Sequence, residues 1–569
     1  MNLWKTSVLE TENLGAHDLL VDCQEAIEFR HRGRLTGELE HHVDSLRLLV
    51  DVVGEGATAP DVGVVDGAAF LRDGFEVLLD ESRHLTLVDV GVDEDHNFVL
   101  AHALPHLLRT NGHESVPWQE GMARKIEPNS NITFCKGLRP NTPFASLKWV
   151  KHEYRTHEVT SAKLSENPWY RAWLTAVQQG FHDPHPTEEF LEHQLSIEAE
   201  HGTVMRGVWD LEPRDYALGP DIPVATFMEW NGSLNVGGSV IDCHQISDVT
   251  VRASHRRQGI ARNLMTASLT AAKERGLAVA ALTATEATIY GRFGFGAAIF
   301  KDQIELRVGS GFDIHAPITG TCEYLDVQQL AEASRVVFDK FHATQTGSIG
   351  RCAPVMEVLN GSVEKSTRKH DDKIRAVGHW DEQGNLDGYA TWKSADRDDA
   401  INVIDFVPTN KDASVAMWAF LGSLDLVRRV RFNRARNDEH LPWALTDRRR
   451  YIVKEHDDLL WLRVLDPAAV LTARNYYTEG EVCFRVIDKM GIADGVWRLT
   501  VEKGKATCVP TDDEPELDIN VAALGSTLLG GVNIHALTTV GWVKGNQEVI
   551  DVFGMLLRRR REPWCITPF

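Results

Sequence analysis

The chain has 569 residues, more than one hydrophobic core commonly supports, so roughly three or four domains are expected. With 43% hydrophobic and 25% charged residues the composition is that of an ordinary globular protein, and no apolar run reaches the roughly 18–20 residues that span a bilayer. A formal charge of −22 repels phosphate and so argues against nucleic acid as a general partner; it would suit a cationic amine substrate, although for charge alone solubility is the favoured account.

The first twelve residues lack a basic region followed by an apolar one, so no secretory signal is expected and the chain reads as cytoplasmic, with unconventional export left open. Eight cysteines stand singly, without a Cys-x-x-Cys pair, and read as reduced thiols. Histidines such as His41-His42, His182 and His185 fall in no ligand pattern, so no metal is expected. Residues 1–150 read as an extension of uncertain order, or as a small acidic α/β domain. Their Asp-Val and Gly-Val repeats show no sustained period, and Met122 is a possible later start.

From about Thr156 the pattern sharpens. Pro168 to Gln179 reads as a helix with Trp173 and Val177 on one face, ended by the turn residues Gly180 to Pro186. Val224 to Trp230 reads as a strand, and Asn231-Gly232 as the turn after it. Ile246 to Val251 is the next strand. Gly259 to Arg275 carries Ile260, Leu264, Leu269 and Ala272 at helical spacing and stops at Gly276, and Val279 to Thr283 is again a strand.

A second region follows Gly309-Ser-Gly-Phe-Asp. Strands Gly388 to Lys393 and Ile401 to Val407 precede a helix over Ala413 to Leu426, echoing the first region. Where the first has Arg256-Arg-Gln-Gly-Ile-Ala261, the second has Pro408-Thr-Asn-Lys-Asp-Ala413, with no glycine for close backbone approach. It reads as a degenerate duplicate unable to cradle a pyrophosphate. A third region opens near Asp458, with strands Cys483 to Ile487 and Val496 to Val501 and a Gly-rich apolar helix at Leu524 to Gly531. The basic run Arg558 to Arg561 reads as a solvated helix terminus or an anion site.

The chemistry concentrates between Asp248 and Gly296. A strand, Val249 to Val251, leads into a loop and then a helix. Gly259 and Ala261 leave backbone N–H groups open to an anion, while Arg256 and Arg257 add charge. That is the donor array an acyl-CoA pyrophosphate needs. Tyr290, beyond strand Val279 to Thr283 and before Gly291-Arg-Phe-Gly-Phe-Gly296, is placed to protonate a departing thiolate; core packing is the rival reading.

Val251-x-x-x-His255-Arg-Arg-x-Gly259 together with Ile289-Tyr-Gly-Arg-Phe-Gly-Phe-Gly296 resembles the enhanced intracellular survival (Eis) family of GCN5-related N-acetyltransferases (GNAT). Leu441-Pro-Trp-Ala-Leu-Thr-Asp447, Trp461-Leu-Arg-Val464 and Pro510-Thr-Asp512 extend the likeness over about Thr156 to Phe569. The resemblance implies an α/β (α+β) architecture: tandem GNAT-like domains with a mixed sheet flanked by helices, then a sterol-carrier-protein-like domain. The implied boundaries are 151–308 for the catalytic domain, 309–456 for its degenerate partner and 457–569 for the C-terminal domain.

It implies acetyl-CoA as co-substrate, held by Val249, Val251, Arg256, Arg257, Gly259, Ile260, Ala261 and Thr285, and a homohexamer. It also implies Tyr290 as acid and the carboxylate of the terminal Phe569 as base. Asp248 stands where many GNAT enzymes place an acidic base, and reads otherwise as an exposed strand-edge acid. Phe181 and Asp183 match the family's acceptor pocket, and Asp183 also reads as a helix-end acid. Pro568 replaces the family's penultimate acidic residue, and Thr283 and Thr285 stand where His and Ser are expected. The implied reaction moves acetyl to primary amines of aminoglycoside- or polyamine-like molecules or to lysines of peptides. A non-catalytic scaffold using the C-terminal apolar domain for a lipid-like ligand is the alternative.

Overall fold

The computed structural model describes residues 152–395 and 399–569, with four short strands nearer the N-terminus. Those strands, β1 (Phe70–Leu71), β2 (Phe75–Leu79), β3 (Leu85–Val92) and β4 (Phe98–Leu100), pair antiparallel in chain order. They belong to the first of two units, 1–140 and 141–569. The remainder of the expected extension over 1–150 lies outside the described residues.

The second unit is built on one twelve-stranded sheet. Its first half supplies β5 (His152–Glu158), β6 (Val204–Asp210), β7 (Ala225–Asn235), β8 (Val240–Val251), β9 (Val279–Thr283) and β10 (Gly296–Arg307). Its second half supplies β11 (Thr321–Tyr324), β12 (Arg375–Trp380), β13 (Leu386–Ala395), β14 (Ala400–Pro408), β15 (Arg429–Ala435) and β16 (Tyr451–Val464). The order across the sheet is β11-β12-β13-β14-β15-β10-β16-β9-β8-β7-β6-β5. Only β8 with β9 and β14 with β15 run parallel.

The two halves repeat one plan. Helices α1 (Tyr170–Phe181), α2 (Glu188–His201) and α3 (Ile260–Glu274) flank the first, and α4 (Leu330–Thr344) and α5 (Lys411–Gly422) flank the second. They also exchange strands: β10 of the first lies against β15 of the second, while β16 of the second lies between β10 and β9. Neither half closes its sheet alone.

Local chemistry explains most element boundaries. α3 buries Ile260, Leu264, Met265, Leu269 and Ala272 as one stripe and stops at Gly276, whose φ of 81° needs glycine. α5 starts two residues before the expected Ala413, because Asn410 Oδ1 accepts the Ala413 N–H at 2.9 Å. It ends at Gly422, not Leu426; a Cβ at Gly422 would stand 2.0 Å from Phe312. The turn expected at Asn231-Gly232 is absent. β7 continues to Asn235 and the chain turns over Val236 to Ser239. Gly232 instead makes room for Gln245 of the neighbouring strand, whose Nε2 lies 2.4 Å from where a Cβ would be.

A third layer follows: a five-stranded sheet of β17 (Gly480–Ile487), β18 (Gly495–Glu502), β19 (Lys505–Pro510), β20 (Leu517–Asn520) and β21 (Val543–Gly545), with helices α6 (Val521–Thr527) and α7 (Gln547–Leu557). α6 is the Gly-rich helix of the sequence. A Cβ on Gly525 would stand 2.4 Å from the Leu462 carbonyl, and one on Gly296 1.9 Å from that of Ala522, so helix and large sheet meet backbone to backbone.

The C-terminal tail locks these layers together. Trp564 and Ile566 enter the core of the second half while Cys565 enters the core shared with the third layer. Arg351, fully buried, pairs bidentately with buried Asp405 at 2.7 and 3.2 Å and donates to the Ile566 carbonyl at 2.9 Å and to Thr567 Oγ1 at 3.0 Å. Replacing one partner of such a pair strands a buried charge. Arg351→Met is therefore expected to destabilise the protein by about 3–5 kcal/mol, measured by urea unfolding. A loss under about 1 kcal/mol would show that the tail is held elsewhere.

Candidate functional site

The site forms where β8 and β9 part. Their parallel ladder ends at Ile246 with Leu282, while on its other edge β8 stays paired to β7 as far as Val251. Backbone from Ser247 onward is thus free of β9 and faces a fork. A bulge opposite Thr226–Met228 bends β8 here; Thr226 Oγ1 donates to the Asp248 carbonyl at 2.7 Å. Free backbone donors at a splayed strand pair can hold the extended arm of a ligand.

The loop after β8 is shaped for an anion. Arg257 and Gly259 both take left-handed φ, 62° and 76°, and Gly259 caps α3. Arg256 and Arg257 are exposed, and the position of a Cβ on Gly259 meets nothing within 4 Å, so ligand approach is open. Arg256 Nε reaches the Val251 carbonyl at 3.4 Å, and Ile260 anchors the helix start in the core. Half-buried Val249 and Val251 pack against the same core, and Ala261 is the second small residue of the turn. His255, nearly buried, sits between Ser254 Oγ at 2.9 Å and Asp210 Oδ2 at 3.4 Å and braces the loop from behind.

Two residues of the expected chemistry lie at the end of β9 and just after it. Tyr290 ends a short helix, Ala287–Tyr290, with its ring in the first core and edge-on to Phe295 at 6.2 Å. Burial, and then Glu286, raise its phenol above the ordinary tyrosine range, so it stays protonated at neutral pH. Phe569 arrives from the other end of the chain: its carbonyl oxygen accepts from Thr283 Oγ1, and its ring meets Trp230 edge-on at 5.4 Å. Trp230 in turn stacks on His201 at 5.3 Å. Thr283 is the departure from the family pattern noted above. Thr285 is exposed on the loop.

Asp248 is not the exposed strand-edge acid of its rival reading. It has a φ of 48° and is half-buried, and desolvation pushes its carboxyl up to about 6, with Lys365 opposing the rise. Beside it lies Glu198 of α2, pushed up to about 7 by burial; Gln194 donates to it at 2.6 Å. Tyr170 senses both carboxyls, and Arg368 senses Glu198. Arg368 and Lys365 come from a turn of the second half that is pinned to α2 by Arg368 to Gln194 at 2.7 Å and Lys369 to Glu189 at 3.4 Å. Sequence reading missed Glu198. The signal was present: Leu191, Leu195 and Glu198 fall on one helical stripe, so a carboxyl stands on a buried face.

Phe181 and Asp183 are exposed in the turn after α1. Gly180 approaches β8 so closely that a Cβ would lie 2.6 Å from Thr250, which brings this turn to the end of β8 that carries Asp248. Among the described residues no group of His, Cys, Asp and Glu is arranged to hold a metal, six cysteines are free, and no helix is long and apolar enough to cross a membrane.

Family models match all three layers: an acetyltransferase (GNAT) domain over residues 164–298, a second over 347–464 and a sterol carrier protein domain over 467–566. An uncharacterized N-acetyltransferase of Streptomyces avermitilis is 33% identical over 359 residues, 61% of this chain and 86% of the relative. N-acetyltransferase Eis of Mycobacterium tuberculosis is 29% identical over 302 residues, 52% of this chain and 72% of that protein. The crystal structure of Eis1 from Mycobacterium abscessus aligns over 73% of this chain and 100% of its own, with TM-score 0.60 and 25% identity. The chain belongs to the Eis family of GCN5-related N-acetyltransferases. It is an acetyltransferase with tandem GNAT domains and a sterol-carrier-like C-terminal domain, and GNAT domains use acetyl-CoA.

The desolvated acid pair of this Eis-family chain has a measurable signature. Glu198 has an unfolded value near 4.5 and a folded one near 7, so the cost of its buried charge is absent below pH 4.5 and complete above pH 7. Glu198→Gln removes that cost. The variant is expected to be more stable than the parent at pH 8, by on the order of 3 kcal/mol, with the gain fading towards pH 4.5. Calorimetric melting at both pH values checks this; a gain independent of pH would assign it to packing.

Proposed function

We propose that the chain transfers acetyl from acetyl-CoA directly to a primary amine of a cationic acceptor, an aminoglycoside- or polyamine-like small molecule or a lysine side chain. The observation that carries this reading is the seating of Phe569 on Thr283, the last residue of β9 and seven residues before Tyr290. That seating, with a buried and protonated phenol seven residues further along the chain, supports the pairing of a carboxylate base with a phenol acid.

In this reading the loop Arg256 to Ala261 holds the pyrophosphate, and Val249, Val251 and Thr285 border the cofactor. The amine nitrogen attacks the thioester carbonyl carbon as the C–N bond forms and the C–S bond breaks. The phenol of Tyr290 gives its proton to the leaving thiolate, and the Phe569 carboxylate takes the ammonium proton through water. Asp248 is a second candidate base, favoured by a carboxyl pushed up to about 6, and Asp183 with Phe181 would receive the cationic acceptor. We further propose a cytoplasmic homohexamer whose domains divide near residues 151, 309 and 457, the first GNAT domain being the active one.

Tyr290→Phe is expected to lower kcat about 100-fold or more while acetyl-CoA affinity, measured by calorimetry, is little changed. Unchanged kcat would remove Tyr290 from the reaction. Extending the chain by one residue after Phe569 is expected to abolish acetyl transfer in a coenzyme-A-release assay. Full activity there, with loss in Asp248→Asn and not in Glu198→Gln, would make Asp248 the base.

A further inference from the structure

The second GNAT half has lost the glycine loop of the first, yet the corresponding place holds a cavity of about 310 Å³. It lies at the start of α5, between Pro408 to Ser414, the end of α4 and the root of the C-terminal tail. The basic run Arg558 to Arg561, which the proposed reaction does not use, supplies much of its wall.

Five cations line this cavity: Lys411, Arg436, Arg559, Arg560 and Arg561. Two of them are compensated, since Arg436 Nε and Arg561 Nε both donate to Asp438, at 2.9 and 2.6 Å. Two acids line it as well: Glu439, spent on the N–H groups of His440 and Leu441 at 2.8 and 3.3 Å, and Glu562, whose carboxyl burial and then Asp438 raise above its ordinary range. Lys411, Arg559 and Arg560 have no carboxylate within ion-pair distance among the described residues. Arg559 is fixed by the Val236 carbonyl at 2.7 Å and keeps a buried Nε without a partner. Arg560 lies over the Tyr477 ring at 4.8 Å.

In a chain of net charge −22, three uncompensated cations around one cavity are a local reversal of sign. Holding like charges together costs energy that a bound anion returns. Thr346, Thr409 and Ser414 add hydroxyl donors to the same wall, and the start of α5 adds its positive end. The volume is at the small end of ligand sites, typically about 300–1,000 Å³.

We propose that this cavity is a binding site for a small phosphorylated anion, separate from the acetyl-CoA loop and built from side chains where the first GNAT half uses backbone. The ligand would sit against the root of the tail whose last residue is Phe569.

The test titrates inorganic pyrophosphate into the full-length enzyme by calorimetry at constant ionic strength, with coenzyme A saturating to fill the loop at Arg256 to Ala261. One site per chain is expected. The double charge reversal K411E/R560E, at two exposed positions, should weaken it at least 10-fold with coenzyme A affinity and melting temperature retained. R257E should leave it unchanged. Absence of heat under coenzyme A saturation, or equal affinity in K411E/R560E, overturns the proposal. So does a change of sedimenting mass in that variant with pyrophosphate binding intact, which would make this face a contact between subunits. None of these outcomes depends on acetyl transfer.

Discussion

Strand exchange between the two GNAT halves is the constraint on which the rest of the molecule depends. With β16 lying between β9 and β10, and β10 between β15 and β16, each half completes the other's sheet. Removing either partner would expose a row of backbone donors and acceptors in the middle of a buried sheet, which costs far more than any single side-chain contact. The arrangement also fixes the fork. β9 is held by β16 through Thr283 to Val279, so it cannot swing back against the end of β8.

The docking of the third layer follows from the same central strands. Gly296 opens β10, and α6 with its Gly525 lies across Gly296 and Leu462 at backbone distance. That contact places the root of the tail, and the Arg351–Asp405 pair then steers Ile566 and Thr567 towards the fork. The position of Phe569 thus rests on packings whose partners, Gly296, Arg351 and Asp405, lie far from it in sequence.

This explains what could be read from the sequence. The loop at Arg256 to Ala261, the helix after it and strand Val279–Thr283 carry local signals of glycine, period and apolar run, and they stand where those signals put them. Asn231-Gly232 misled because glycine served a neighbouring side chain, a tertiary demand indistinguishable locally from a turn. Tyr290 was singled out by its context between a strand and a glycine run, whereas Phe569 entered only through family resemblance, since a terminal phenylalanine has no local pattern. Glu198, Arg368 and Lys365 were passed over. They matter only together, through a meeting of α2 with a turn some 170 residues later that composition and period do not encode.

The exchanged strands also bear on how the protein is made. β9 emerges from the ribosome about 180 residues before its neighbour β16, and the tail that fills the joint core follows later still. The sheet of the first half therefore cannot be completed until β16 has been made. The nascent first half must wait with an open sheet edge, a state prone to pairing with other chains. A product that stops before β16 would lack both the strand that closes the sheet and the residue that reaches Thr283, so it could not resemble the finished enzyme.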